Sequence, residues 1–241
     1  MKISCVVPAF NEEKLLHRTL AAIKQSSKAF ESMGWAFELI VCDNNSTDRT
    51  SSVAGEAGAI VVFEPINQIG RARNCGAAAA TGDWLVFVDA DSQPSHGLFE
   101  DVARQISSGR VVGGGSTVRF DRSEPLFAVW VLGWNFLSRA CRWAAGSFIY
   151  CEASAFKSVG GFSLDLYASE ELDLSKRLKR LGRQHGKKFV ILRRHPLTTS
   201  ARKIDLYSGA EIRRFLGLFL RRPKGTLKDP EACHIWYDGR R

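Results

Sequence analysis

Asp89 and Asp91 stand one residue apart, directly after the apolar run Trp84-Leu85-Val86-Phe87-Val88. Two carboxylates at that spacing reach one hard cation with the loop backbone between them. Mg²⁺ and Mn²⁺ take oxygen ligands and keep positions open for water and phosphate. A lone Asp-Ala-Asp run is common on protein surfaces, and its position after a buried strand is what points to a site. Two other loops share this character: Pro8-Ala9-Phe10-Asn11-Glu12-Glu13 and Asp43-Asn44-Asn45-Ser46. A single Asp in such a place reads as a helix cap, whereas three acid- and amide-rich loops read as one ligand-binding edge. Further along, Glu170-Glu171 precede a helical pattern. One member of that pair can exchange a proton with a substrate, while Glu170 can alternatively start the helix, where its dipole favours an acid. His195 follows an apolar run and reads as a polar residue ending a strand. Arg202 carries a guanidinium group that matches a diphosphate.

The elements that must position these residues alternate. Residues 3–7 form a β-rich apolar run ended by Pro8, and residues 12–32 place Leu15, Leu16, Leu20, Ile23 and Phe30 on one helical side. The unit recurs: strand at 37–42, a helix-start signal at Asn45-Ser46-Thr47-Asp48, strand at 60–63, helix at 70–80, strand at 84–88, helix at 95–107. This pattern predicts an α/β fold with a mostly parallel sheet covered on both faces, binding its ligand at the carboxyl ends of the strands. After residue 111 come a turn at Gly113-Gly114-Gly115 and a strongly apolar segment, 126–150. The longest uncharged stretch there, Pro125 to Ser138, has 14 residues and is too short to span a bilayer. A turn at Gly160-Gly161-Phe162, a helix at 170–181, a strand at 188–192 and an amphipathic helix at 207–220 complete the pattern.

The chain's 241 residues suit one sizeable domain, and 45% hydrophobic content supplies a core, which excludes a disordered chain or a collagen-like fibre. The net charge of +9 is unevenly placed. Residues 1–175 hold 15 basic and 20 acidic side chains, while residues 176–241 hold 19 and 5. A mildly acidic body thus carries a basic final quarter suited to phosphate or an anionic membrane, and nucleic acid is not an expected partner. The six cysteines show neither CxxC nor zinc spacing and read as free thiols in a reducing compartment. Met1 runs straight into a strand-like segment with no secretory leader, so a cytoplasmic location is expected, with peripheral contact at the inner face of the membrane through residues 126–150 or 206–241.

Taken together, the motifs resemble a family 2 glycosyltransferase with the inverting GT-A fold. The resemblance rests on Ser4-Cys5-Val6-Val7-Pro8-Ala9-Phe10-Asn11-Glu12-Glu13, Asp43-Asn44-Asn45-Ser46-Thr47-Asp48, Gly70-Arg71-Ala72-Arg73-Asn74-Cys75-Gly76, Asp89-Ala90-Asp91, Val159-Gly160-Gly161-Phe162 and Glu170-Glu171-Leu172-Asp173-Leu174, in order over residues 3–182. It implies a nucleotide-sugar-binding half at 1–115, an acceptor half at 116–205 and a basic amphipathic segment at 206–241. It also implies that Pro8, Phe10 and Glu12 line the nucleotide pocket and that Asp43 meets the base, with Ala9, Asn45 and Ala90 in the same loops. Arg73 would meet the base or diphosphate, Asp91 the metal, and Asp89 the ribose and metal-bound water, with His195 in a late position where such enzymes carry a further metal ligand. The second acid of the Glu170-Glu171 pair would be the base. The family normally has Asp there, so Glu171 departs from the pattern.

The activity implied is metal-dependent, inverting transfer of a sugar from a nucleoside-diphosphate donor, a UDP-sugar before a GDP-sugar, to a hydroxyl of a sugar, lipid or small molecule. Transfer to a polyprenyl phosphate is the alternative, since an anionic acceptor needs no base. The Glu pair favours a hydroxyl, whereas the basic aromatic segments favour a lipid. A non-catalytic sugar-nucleotide binder would share the donor loops. A nucleotidyltransferase is disfavoured, because Asn11-Glu12-Glu13 stands where such an enzyme needs a glycine-rich basic loop.

Overall fold

The computed structural model describes residues 1–122, 125–202, 223–233 and 237, with the backbone alone at 125–130 and 223–224. The strands and helices expected from the pattern are largely present, except that the amphipathic helix expected at 207–220 lies outside the described residues. The strands are β1 (Lys2–Ala9), β2 (Ala36–Asp43), β3 (Ile60–Phe63), β4 (Trp84–Val88), β5 (Ser92–Gln93), β6 (Val111–Phe120), β7 (Phe148–Glu152) and β8 (Lys188–Thr199). They form one sheet in the order β3-β2-β1-β4-β7-β6-β8-β5. Strands β1 to β4 run parallel, β7 is antiparallel to both β4 and β6, β8 is parallel to β6, and β5 is antiparallel to β8.

Helices α1 (Leu16–Glu31), α2 (Thr50–Glu56), α3 (Ile69–Ala79), α4 (His96–Ser107), α5 (Pro125–Cys141), α6 (Ala153–Ser158), α7 (Glu170–Gln184) and α8 (Pro223–Thr226) complete the described elements. Alternation along β1 sends side chains to both faces. Ile3, Cys5 and Val7 join Leu20, Ile23, Phe30, Phe99 and Val102 of α1 and α4 in one core. Val6 joins Phe87, Phe156, Phe162, Leu174 and Leu178 in the other. Phe30 stacks on Phe99 with ring centroids 4.9 Å apart, and Phe162 meets Phe87 edge-on at 5.1 Å. Burying each such side chain contributes about 1.5–3 kcal/mol.

Three expectations change. Pro8 does not end its strand, because β1 continues through Ala9 against β2. The ladder with β4 reaches only Val6, so the missing proline N–H falls where β1 has one neighbour. The first helix begins at Leu16 and not at Glu12, since the backbone N–H groups of Glu12 and Glu13 are held by Thr50 Oγ1 and Asp48 Oδ2 at 2.8 and 3.1 Å.

The third change is larger: Gly113-Gly114-Gly115 is not a turn but the middle of β6. These glycines pair with Cys151, Tyr150 and Ile149 on one side and Phe189, Val190 and Ile191 on the other. A Cβ on Gly114 would lie 1.9 Å from Val190 O and 2.7 Å from Tyr150 Oη. Glycine is required there by close approach. Gly114→Ala is therefore expected to lower the unfolding free energy by at least about 3 kcal/mol. Gly133→Ala in α5, where nothing lies within 4 Å of the added carbon, should raise it by about 0.5–1 kcal/mol. Urea melts of the two variants compare these values directly.

Candidate active site

The carboxyl ends of β1, β2 and β4 converge on one open cleft, lined by Pro8, Ala9, Phe10, Glu12, Asn44, Asn67, Ile69, Asp89, Ala90, Asp91 and Tyr237. Two loops are laced together at its rim. Asn11 Oδ1 accepts from Thr47 N at 2.8 Å, and Ser46 Oγ accepts from Asn11 N at 3.0 Å. Asn11 and Asn45 hold positive φ angles of 51° and 66°, a conformation that Asn tolerates better than most residues.

Asp43 is buried, and its Oδ1 accepts from Ser46 N at 3.0 Å, so at least one oxygen serves the turn. Its neighbour Asn44 lines the cleft, where Asp43 and Asn45 do not. Asn44 also fixes the opposite wall. Its Nδ2 donates to Glu64 O and Ile66 O at 3.1 and 2.7 Å, and its Oδ1 accepts from Gln68 N at 2.9 Å.

Glu12 lines the cleft with both carboxylate oxygens 2.8 Å from Arg202 Nη2. Arg202 is thus turned to Glu12 and does not itself line the cleft, although its buried Nε–H has no hydrogen-bond partner in the described structure. Asp89, Ala90 and Asp91 lie together in the cleft wall as the sequence pattern predicts. Ser92 N donates to Asp89 O at 3.0 Å, and Ser200 N to Asp91 O at 3.2 Å, which fixes the backbone between the two carboxylates.

Arg73 departs most from its expected place. It is fully buried and absent from the cleft lining. Its Nη1 lies 2.5 Å from Glu170 Oε1, and its Nη2 lies 2.8 Å from both Asp89 Oδ1 and Gly146 O. The guanidinium carbon also sits 5.1 Å from the centroid of Phe162. Arg73 therefore joins the loop after β4 to the start of α7. Burial is affordable only because carboxylates face it, and these hold its pKa above the ordinary arginine value against the effect of desolvation.

Glu170 and Glu171 occupy the first turn of α7. Glu170 is committed to Arg73 and not to capping the helix. Glu171 lies beside the loop before β7, where a carbon added to Gly146 would come 3.5 Å from Glu171 Cδ and 3.4 Å from Arg73 Nη2. Burial, and next the charge of Glu170, push the Glu171 carboxyl up to about 8. A carboxyl raised this far near neutral pH is suited to proton exchange.

His195 is not brought to the aspartates. Between the paired residues Leu192 and Leu197, β8 takes five steps while β6 takes two from Ser116 to Val118, so residues 193–196 bulge from the ladder. The His195 Nδ1 lies 2.9 Å from Asp101 Oδ2 on α4, and its ring packs over Gly97. Among the described residues no group of three or more His, Cys, Asp and Glu side chains could hold a metal ion. The oxygen donors of Asp89 and Asp91 nevertheless suit Mg²⁺ or Mn²⁺ if a bound phosphate and water complete the shell.

Sequence reasoning placed Asp43 and Asn45 in the site where Asn44 between them lines the cleft, and it missed Asn67, Ile69 and Tyr237 among the lining residues. Tyr237 Oη donates to Tyr167 O at 2.7 Å, and Asn67 Nδ2 donates to Tyr237 O at 3.4 Å. The chain separation of 170 residues between Asn67 and Tyr237 leaves no local signal.

The family model described as Glycosyl transferase family 2 matches residues 4–158. An uncharacterized glycosyltransferase of Mycobacterium tuberculosis is 36% identical over 107 residues, 44% of this chain and 44% of the relative. An undecaprenyl-phosphate 4-deoxy-4-formamido-L-arabinose transferase of Enterobacter is 31% identical over 134 residues, 52% of this chain and 39% of the relative. The chain thus matches less than half the length of these curated relatives. The structure of glucosyl-3-phosphoglycerate synthase from M. tuberculosis with Mn²⁺, UDP and glucosyl-3-phosphoglycerate superposes with a TM-score of 0.61 at 23% identity, covering 97% of this chain and 80% of that one. At that identity the likeness is one of fold.

Arg73→Met should destabilise the protein by about 3–5 kcal/mol, because Glu170 and Asp89 keep buried charges without their partner. Adding Glu170→Gln should restore part of that loss. A denaturation cycle over the two single variants and the double variant measures the coupling.

Proposed function

The chain belongs to glycosyl transferase family 2, and from that premise we propose that it transfers a sugar from a nucleoside-diphosphate donor, a UDP-sugar before a GDP-sugar, to an acceptor hydroxyl with inversion. One observation carries the reading: Arg73 joins Asp89 of the donor cleft to Glu170 at the head of α7, with Glu171 beside it. Asp89 and the immediate neighbour of the candidate base are thereby held by one buried cation. The UDP and Mn²⁺ of the glucosyl-3-phosphoglycerate synthase complex support this choice of donor and metal.

Pro8, Phe10, Asn44 and Asn67 would enclose the nucleoside. Asp91, with Asp89, would hold Mg²⁺ or Mn²⁺ against the diphosphate, and the ion would supply charge compensation for the departing nucleoside diphosphate. Arg202, through its unpartnered Nε–H, would donate to the diphosphate from beside Glu12. Glu171 would take the proton of the acceptor hydroxyl as that oxygen attacks the anomeric carbon, in a single in-line displacement. Arg73 would oppose the burial that raises the Glu170 carboxyl, and any charge Glu170 carries would raise the basicity of Glu171.

A second reading, transfer to a polyprenyl phosphate, is supported by what the Enterobacter relative is named for. The two readings separate at Glu171, since an acceptor phosphate needs no base. Under the hydroxyl reading, Glu171→Gln reduces kcat by at least about a hundredfold and leaves donor affinity unchanged. Unchanged turnover overturns it.

The raised Glu171 carboxyl also sets two pH dependences. Only the ionised form accepts a proton, so wild-type kcat/KM rises with pH through about 8. In stability the sign is opposite: between the ordinary value of 4.5 and about 8 the folded chain holds a proton that the unfolded chain releases. The unfolding free energy therefore falls as pH rises through that window. Glu171→Gln should flatten this slope, which thermal melts across the window measure.

A further inference from the structure

The face of α5 turned away from the sheet is apolar where solvent should favour polarity. Leu132 is 68% exposed and Phe136 73% exposed, one helical turn apart, with Leu137 beside them. The helix has 17 residues, and none of the described helices is long and apolar enough to cross a membrane. At its C-terminal end the character becomes basic. Arg139 and Arg142 are exposed, and Lys179 of α7 donates to Cys141 O at 2.7 Å. Lys176 of the same helix lies 5.6 Å from the Trp143 ring centroid.

Lys176, Lys179 and Arg183 follow one stripe of α7, with spacings of three and four residues. Their mutual repulsion is visible at Lys179, whose pKa is lowered by burial and then by Arg183 and Lys176, with Arg142 contributing. None of Arg139, Arg142, Lys176, Lys179 and Arg183 forms an ion pair with a carboxylate among the described residues.

We propose that this face, Leu132, Phe136 and Leu137 of α5 with the adjoining cations of α5 and α7, docks on the surface of an anionic lipid bilayer and presents a lipid-linked acceptor to Glu171. An amphipathic helix lying in the interface plane buries its apolar side at the headgroup boundary while basic side chains meet anionic headgroups. Pairing with a second copy of the same face fits less well, because a two-fold contact would bring the unpaired cations of both copies together. The path to the site is short. Four residues beyond Arg142, Gly146 O accepts from Arg73, and the backbone there lies against Glu171. An acceptor anchored in the bilayer would arrive beside that carboxylate. The second half of this proposal rests on the glycosyl-transfer reading; the docking itself does not.

Flotation of the full chain with vesicles of phosphatidylcholine alone, or with phosphatidylglycerol added, tests the docking without any enzymatic readout. The chain should float with the anionic vesicles, weakly with the neutral ones, and less as salt rises. Leu132→Ser/Phe136→Ser and Lys176→Glu/Arg183→Glu should each lower the partition coefficient by about tenfold or more. Each variant is to keep the wild-type circular dichroism spectrum, and Lys176→Gln/Arg183→Gln serves as a milder substitute where charge reversal impairs folding. Equal flotation of wild type and variants overturns the proposal, as does flotation that is lost only on deleting residues 203–222, or salt-insensitive dimerisation that removes the face from solvent. Vesicle binding with no transfer to any lipid acceptor would retain the docking and overturn the acceptor assignment.

Discussion

The buried Arg73 is the constraint on which the arrangement of the site depends. A guanidinium cannot be taken out of water unless anions and hydrogen-bond acceptors surround it, and here they come from three separate parts of the chain. Asp89 follows β4, Glu170 opens α7, and Gly146 precedes β7. Pairing this one cation through its two Nη groups, with Nε–H left without a partner among the described residues, fixes the acidic loop after β4 against the acidic start of a distant helix. Packing of Phe162 beneath the guanidinium closes the remaining face. The same charge that tethers Glu170 leaves Glu171 next to a carboxylate in a dry environment, which is what raises its proton affinity.

The sheet contributes by delivering loop ends in register. Because β1, β2 and β4 are parallel, their carboxyl ends lie side by side, and three loops remote in sequence share one cleft. The antiparallel β7 then returns the chain from α5 to the same edge. Its neighbour β6 can approach closely only because Gly113 and Gly114 present no side chain to Tyr150 and Cys151, and Gly115 none to Ala144 and Phe148. A requirement for small residues in the second half of the sheet thus serves the geometry of a site formed largely by the first half.

Much of this was legible in the sequence. Apolar strands alternating with helices announced the parallel sheet, and polar residues at strand ends located the cleft, with Pro8, Ala9, Phe10, Glu12, Asp89, Ala90 and Asp91 all on its wall. Contacts set by tertiary charge pairing were not legible. Arg73 could be recognised as a cation in a motif, but its choice of Asp89 and Glu170 depends on which carboxylates the fold buries beside it. His195 followed an apolar run as a ligand would, yet the bulge at residues 193–196 gives it to Asp101. Glycines read as a turn where close strand packing required them, because both demands select the same residue. Tyr237 reaches the cleft over a chain separation for which no periodicity exists.

The central claim is that the cleft between Asn44 and Asp91 holds a nucleoside-diphosphate sugar together with a divalent ion. Thermal unfolding of the protein with a panel of nucleotide sugars, each with Mn²⁺ and again with excess chelator, tests it most directly, since a ligand bound to the folded state raises the melting temperature. The account predicts a rise with one donor, abolished by chelator and by Asp91→Asn. A melting temperature that no donor shifts, in the presence of Mn²⁺, would contradict it.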